Sequence, residues 1–402
     1  MTYSICPAYS ASYKKEDESE ISSIDLPDFP EWKIRLYSNP DGLRKLVNWP
    51  SSSSWMLPGW MAYQSEAFEE NSTHLLEIET NTGAVYRLSV QTFVFQAGNN
   101  IRQAQAQFSW RRWLAAPFRF KVLALGQLLN SGPYSLSNDQ VLLDSNWGKL
   151  IDQLSKVLSH RLSCKAVLIK DLSEEDSEVT NYWTANSFYS LPVDPVMELP
   201  IRTHWSTFDD YLMDLTSKYR VRYRRARKQA GGLSTRILPP SEVYRRESEL
   251  DDLFQAVRIT ADYDPIDPPA GYFSALQREW DYRCQIMGYF LDEKLVGFTT
   301  ALLDNQCLHA HYLGFVQEVN QTHHIYHNML FDLIGYAIQK QVDKLNFSRT
   351  ALEIKSSVGA IPKRYAVLLK ANWSLGNWMV RRFTPSLFQA QRWQARNPFR
   401  AS

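Results

Sequence analysis

The segment Leu308-His309-Ala310-His311-Tyr312 sets two imidazoles two residues apart in a strand-like run. Side chains alternate along a strand, so His309 and His311 are expected on one face and Tyr312 on the other. Acylating an amine needs a base for the proton lost by the ammonium or the tetrahedral intermediate, and an imidazole near neutral pKa suits that task. The same histidines can equally be hydrogen-bonded within a core. Further along, Arg349, Glu353 and Lys355 fall just after another apolar strand, the end of an α/β sheet where polar groups collect. Glu353 can act as base or orient His311, and Arg349 or Lys355 can hold a phosphate or a developing oxyanion. The alternative is a plain ion pair of Glu353 with Arg349 or Lys355.

Tyr326 and Asn328 begin a predicted helix and are candidate contacts to a co-substrate, or ordinary packing and capping. His323 and His327 have the i, i+4 spacing of a helical metal pair. No Glu follows His323 in the H-E-x-x-H manner, so no metal site is assigned. Residues 218–228 carry Lys218, Arg220, Arg222, Arg224, Arg225, Arg227 and Lys228 without an acid. That run is either a solvated helix face or a grip on phosphate, from the acceptor stem of a tRNA or the diphosphate of CoA or a lipid; Arg224 and Arg225 are its candidate co-substrate contacts. Two aromatic–basic stretches, Trp110-Arg-Arg-Trp113 with Phe118-Arg-Phe120-Lys121, and Trp378 to Phe383 with Phe388, Arg392, Trp393 and Phe399, suit a lipid headgroup boundary or a core.

The elements that must position these groups follow from periodicity. Residues 74–80 and 84–96 flank Asn81-Thr82-Gly83 and predict a hairpin. A helix through Leu150, Ile151, Leu154 and Leu158 leads into the strand Ala166-Val167-Leu168-Ile169; a similar unit returns with Met329, Leu330, Leu333 and Ile334, then Leu345-Asn346-Phe347. The repeat suggests two related α/β halves that share an apolar interface. One long helix is expected from Thr207 to Gly231-Gly232, and a three-strand meander over 284–291, 295–303 and 307–315.

Composition narrows the classes. The 402 residues carry 44 Lys and Arg against 43 Asp and Glu, a net charge of +1, so electrostatic partners must be met by a local patch. Four dispersed cysteines form no C-x-x-C, which removes zinc ribbons and a disulfide framework and fits a reducing cytoplasm. The glycine spacing of a Rossmann or P-loop site is missing. Neither a signal-like start nor a spanning apolar run is seen, so the protein is expected to be cytoplasmic, with peripheral attachment to the inner membrane's cytoplasmic face through its aromatic–basic stretches. Residues 1–30, acidic and Ser-rich, read as a disordered tail, with halves at 31–200 and 201–385 and a basic aromatic tail at 386–402.

Asn346-Phe-Ser-Arg-Thr-Ala-Leu-Glu-Ile-Lys-Ser-Ser-Val-Gly-Ala360, followed by Pro362, resembles the "FGRTA-x-E-x-K-x-x-x-GA-x-P" block of a FemAB-like branch of the GNAT acyltransferases. Further matches are Val122-Leu-Ala-Leu-Gly126 with Ser131-Gly132, Ile169-Lys170-Asp171, Phe208 to Leu212 with Ser217 to Arg220, and Arg396-Asn-Pro-Phe399. The resemblance implies a mixed α/β fold of two tandem GNAT-like domains, each a largely antiparallel mixed sheet flanked by helices, with the chemistry in the second. It also implies an acyl-CoA or acyl-carrier thioester as co-substrate and an amine acceptor. Relatives include bacterial ceramide synthase, which acylates a long-chain amine, and the FemAB group, which moves amino acids from aminoacyl-tRNA onto cell-wall precursors in peptidoglycan biosynthesis. A non-catalytic binding protein with a decayed site is the third reading. Simple acetyltransferases carry a [QR]-x-x-G-x-[GA] loop, and Gln317 to Tyr326 here holds no glycine. The backbone amides of His323 to Tyr326 are then the expected anion contact.

Overall fold

Alternating apolar strands and i, i+3, i+4 helical stripes build two separate sheets. The structure, a computed structural model, describes residues 21–46, 53–68, 70–96, 119–134, 145–173, 182–259, 266–387 and 393–400. In chain order the first elements are β1 (Ile21–Ile24), β2 (Lys33–Tyr37), α1 (Pro40–Arg44), α2 (Pro58–Ala67), β3 (Ser72–Glu79), β4 (Val85–Gln96), β5 (Arg119–Leu125), α3 (Ser145–Arg161), β6 (Ala166–Ser173), β7 (Tyr189–Ser190) and β8 (Val196–Pro200). Then come α4 (Phe208–Asp214), α5 (Ser217–Gln229), β9 (Leu233–Ile237), α6 (Pro240–Arg245), α7 (Glu247–Arg258), α8 (Tyr272–Trp280), β10 (Cys284–Leu291), β11 (Lys294–Asp304) and β12 (Cys307–Phe315). The last are α9 (Gln317–His323), α10 (Ile325–Gln339), β13 (Lys344–Asn346), α11 (Leu352–Ser357), β14 (Ile361–Lys363), β15 (Tyr365–Ala371) and α12 (Ser374–Leu387).

The first sheet runs β1-β2-β3-β4-β5-β6-β15-β7 and the second β14-β8-β13-β12-β11-β10-β9. In each, an antiparallel meander ends in one parallel pair, β5 with β6 and β12 with β13. A helix crossover, α3 or α10, joins each parallel pair, as a parallel connection requires. The repeated helix–strand unit of the sequence is therefore the crossover of each half. The expected class, two mixed sheets flanked by helices, is what the structure shows.

The halves do not divide at Pro200. β8 lies in the second sheet between β13 and β14, and β15, from the far end of the chain, lies in the first sheet between β6 and β7. Sequence pattern marks a strand but not its partner, and here each half covers an edge that the other would leave open. Other boundaries also move. Ile21–Ile24 pairs with β2 from Tyr37 back to Ile34, and Ile24 and Leu26 are buried, so the expected tail over 1–30 ends before Ile21; Met1 to Glu20 lie outside the described residues. The long helix from Thr207 is two helices, because Leu215 is extended and Thr216 N–H donates to Pro398 O at 2.8 Å instead of continuing the ladder. That bond belongs to residues 393–400, which are docked rather than a loose tail. Phe399 packs on Trp205 at 5.6 Å between centroids and over Gly359, whose φ of +103° and lack of a Cβ let the ring approach. Trp110 to Trp113, Phe118, Phe388 and Arg392 lie outside the described residues.

The two halves share one core. Trp55 and Trp60 from the first meet Phe273, Trp280 and Phe298 of the second. Trp55 packs edge-on against Trp280 at 4.9 Å. It is held by its neighbours, since Ser53 Oγ donates to Asp304 at 2.8 Å and Ser54 N–H at 2.6 Å, and burial raises the pKa of that carboxyl.

Candidate active site

β12 and β13 pair only over Cys307–His309 and Lys344–Asn346, and beyond that last rung they part. β12 runs on into α9 and α10, and β13 into the loop before α11. A bulge shapes the β12 arm: the register passes from Leu313 opposite Thr299 to Ala310 opposite Ala301, so His311 and Tyr312 together face Thr300. Thr300 Oγ1 replaces the missing ladder, accepting from Tyr312 N–H and donating to Tyr312 O, both at 2.8 Å. The bulge cancels the expected alternation. Tyr312 turns to the same side as His311, with their ring centroids 4.0 Å apart, and packs on Phe254 at 4.7 Å.

His309 and His311 line the face that meets the first half. His309 is buried, with Nδ1 3.4 Å from the Asn346 amide nitrogen and its ring 4.5 Å from Tyr134. Half-buried His311 has Nε2 2.7 Å from Tyr272 Oη and its ring 5.4 Å from Trp55. Desolvation by these packed rings pushes both histidines down to about 3. At neutral pH both are therefore neutral hydrogen-bonding groups and weak proton acceptors, not the poised bases expected from their residue type.

Glu353 does not join them. It is half-exposed and pairs with Arg396, which the matched Arg396-Asn-Pro-Phe399 stretch brings over from the docked end of the chain. Neither Arg349 nor Lys355 is its partner, so the ion-pair alternative is corrected as well. Arg349 uses its guanidinium on the Asp171 carboxylate and on Asp194 O, not on Glu353. Lys355, 5% exposed, donates to Arg349 O at 2.6 Å. Its burial pulls its pKa down from 10.5 to about 7, against the opposing charge of Asp194. These side chains act on the loop itself, where Ser348, Thr350 and Ala351 all have left-handed φ of +62°, +70° and +47°.

The matched motifs meet around that loop. Ser348 Oγ donates to Ser131 Oγ at 2.9 Å, and the Asn346 amide donates to Ser131 O at 2.8 Å. Gly132 N–H donates to Asp171 at 2.9 Å. Burial opposes the charge on Asp171, yet Lys170 and Arg349 hold its carboxyl below the usual range. The junction at the fork is thus made from both halves: the end of β6, the loop after β5 and the loop after β13.

A groove opens where α5, α10 and the end of α11 meet, with a volume of about 290 Å³ and walls that include Arg222, Arg225, His324, His327, Gln229 and Ser357. Arg222 rests on the Tyr219 ring at 5.0 Å, and burial, His324 and Arg222 lower the pKa of His327. Of the expected co-substrate contacts only Arg225 is in this wall. Arg224 is exposed but does not line it. Asn328 is buried and staples α5 to α10, accepting from Arg227 at 3.0 Å and donating to His324 O at 3.0 Å. Tyr326 N–H is taken by Asn320 Oδ1 at 3.1 Å and His324 N–H by Asn320 O at 3.0 Å, so these two of the four amides from His323 to Tyr326 are not open to an anion. The sequence marks Arg222 only within the basic run and His324 only through its backbone amide, and does not mark Gln229, because helical spacing shows which residues share a face but not which neighbouring helix converts that face into a wall.

No family model and no curated protein matches the chain. Solved structures do. The crystal structure of FemX aligns with a TM-score of 0.51 at 10% identity over 78% of this chain and 91% of that one. The chain has the FemX fold. Other similar structures are the C-terminal domain of a putative lysylphosphatidylglycerol synthetase from Agrobacterium fabrum (TM-score 0.46, 9% identity, 82% of this chain and 92% of that) and a tandem GNAT protein from the clavulanic acid biosynthesis pathway (0.46, 13%, 77% and 85%).

Proposed function

We propose that the protein is an N-acyltransferase that moves an acyl group, long-chain in the leading reading, from an acyl-CoA or acyl-carrier thioester to an amine, with an amino-lipid such as a sphingoid base as the acceptor class. The observation that supports this reading most is the relation of fork to groove. Both arms of the fork run on into helices that wall the groove, β12 into α10 and β13 into α11, and in this reading the donor sets its phosphates on Arg222 and Arg225 and extends its thioester to the parting strands. There the amine nitrogen attacks the thioester carbonyl carbon, the C–N bond forms and the C–S bond breaks. The thiolate leaves and takes the proton that the nitrogen gives up. His309 and the His311–Tyr272 pair supply neutral hydrogen bonds to the carbonyl or the amine, and Arg349 and Lys355 hold the shape of the loop. Thioester donors of this kind place the reaction in the cytoplasm.

A second reading, aminoacyl-tRNA-dependent transfer of the FemAB type in peptidoglycan biosynthesis, is favoured by exposed Arg224 and Lys228 beside the groove, a cationic row suited to a phosphodiester backbone. The test is amine-dependent thiol release by the purified chain from long-chain acyl-CoA. Arg222→Glu with Arg225→Glu is expected to raise the donor KM about tenfold or more while kcat changes little. Transfer from charged tRNA alone would move the assignment to the second reading. Absence of transfer from CoA, carrier and tRNA donors would leave the non-catalytic binding protein.

A further inference from the structure

Helix α12 leaves large apolar side chains exposed on its outer side. Gly376 and Thr384 are buried against the fold, Met379 and Val380 are half-buried, and Asn377 Oδ1 accepts from Ala371 N–H at 2.8 Å. Its outward side presents Leu375 (63% exposed) and Trp378 (57%), preceded by Trp373 (39%). Leu375, Trp378 and Arg382 follow the i, i+3, i+7 spacing of one face, and Arg381 flanks it, with both arginines exposed. Trp373 meets Phe120 edge-on at 6.2 Å, and Phe120 and Phe95, 5.3 Å apart, pack in turn against the shared core, so the ring is anchored at the rim of this face. From Ala371 to Ser402 the chain carries no Asp or Glu.

We propose that this face binds an anionic lipid surface, with the Trp373 and Trp378 rings at the headgroup level and Arg381 and Arg382 on lipid phosphates. Indole rings carry an apolar body and a polar edge, and guanidinium groups beside them meet phosphate in a fixed fork, a pairing of groups that fits the boundary between headgroups and acyl chains. A second copy is the poorer occupant. Apposing two such faces would bring the arginines of both copies together with no carboxylate on the helix to offset them. No helix among the described residues is long and apolar enough to cross a membrane, so the contact is a surface one. The inference stands on exposure and charge and does not depend on the reaction proposed above.

The full chain is mixed with vesicles of pure phosphatidylcholine or with roughly a third phosphatidylglycerol, and bound protein is measured by sedimentation. Binding is expected to the anionic vesicles, about tenfold or more weaker to the neutral ones, and to weaken as salt is raised. Arg381→Glu with Arg382→Glu, and separately Leu375→Ser with Trp378→Ser, should each weaken binding about tenfold or more, and the arginine pair should do so without moving the thermal midpoint, because both arginines are exposed. Absent vesicle binding overturns the proposal, as does equal binding to both vesicle types or binding unchanged in both variants. Self-association that the Leu375→Ser, Trp378→Ser chain loses would reassign the face to a second copy. Transfer to a soluble short amine should persist in these variants, so failure here and failure of the transferase reading are separately visible.

Discussion

Lys355 offers a quantitative test of how the loop at the fork is held. Its ammonium is buried, donates to Arg349 O at 2.6 Å, and titrates at about 7 in the folded chain against 10.5 when free. Because the folded value is depressed, the unfolded chain binds more protons than the folded one between those two values. Stability must therefore rise with pH across that window, at about 1.4 kcal/mol per pH unit for one proton. Integrating from pH 7 to 9, where the folded lysine is half protonated at the start and neutral at the end, gives about 2 kcal/mol. In Lys355→Met this contribution vanishes while the aliphatic packing is largely kept. Urea denaturation of both proteins at pH 7 and 9 measures the difference, with the variant serving as the reference for every other titrating group. The original chain should gain about 2 kcal/mol on the variant over that interval. A difference that stays constant with pH would show that Lys355 keeps its charge throughout and that its burial does not control its protonation.

Three further outcomes follow from other parts of the molecule. Trp55→Ala should cost about 3–5 kcal/mol and lower the thermal midpoint, since the ring is buried between the halves against Trp280; a loss under 1 kcal/mol would mean that the shared core is dispensable. Asp171→Asn removes the carboxylate that Lys170 and Arg349 share, and breaking a buried pair of this kind costs about 3–5 kcal/mol, read by denaturant midpoint; an unchanged midpoint would remove Asp171 from the junction. Deleting residues 1–28 takes away β1 and the buried Ile24 and Leu26, so about 3 kcal/mol of stability should be lost; unaltered melting would restore the reading of this stretch as a tail.

Local pattern determined much of the chain. Alternation and turn residues placed the β10–β12 meander and the β3–β4 hairpin, and i, i+3, i+4 spacing placed α3 and α10, because these elements are specified by neighbours a few residues away. The spacing of His309 and His311, the loop residues from Asn346 to Lys355 and the cationic run of α5 could also be read directly. What these residues touch was decided by distant contacts. A bulge opposite Thr300 put Tyr312 beside His311, and a period-two pattern contains no sign of an inserted residue. Arg349 meets Asp171 and Glu353 meets Arg396 across long stretches of chain, so the group expected to work together is divided between a loop clamp and a surface pair. Burial then decided protonation: the same imidazoles that would titrate near neutrality in water are held neutral by Trp55, Tyr134 and Tyr272, and the first two of these rings come from the other half. The exchange of β8 and β15 between sheets has the same origin, since a strand's sequence states which face is apolar and leaves the choice of edge to the tertiary structure.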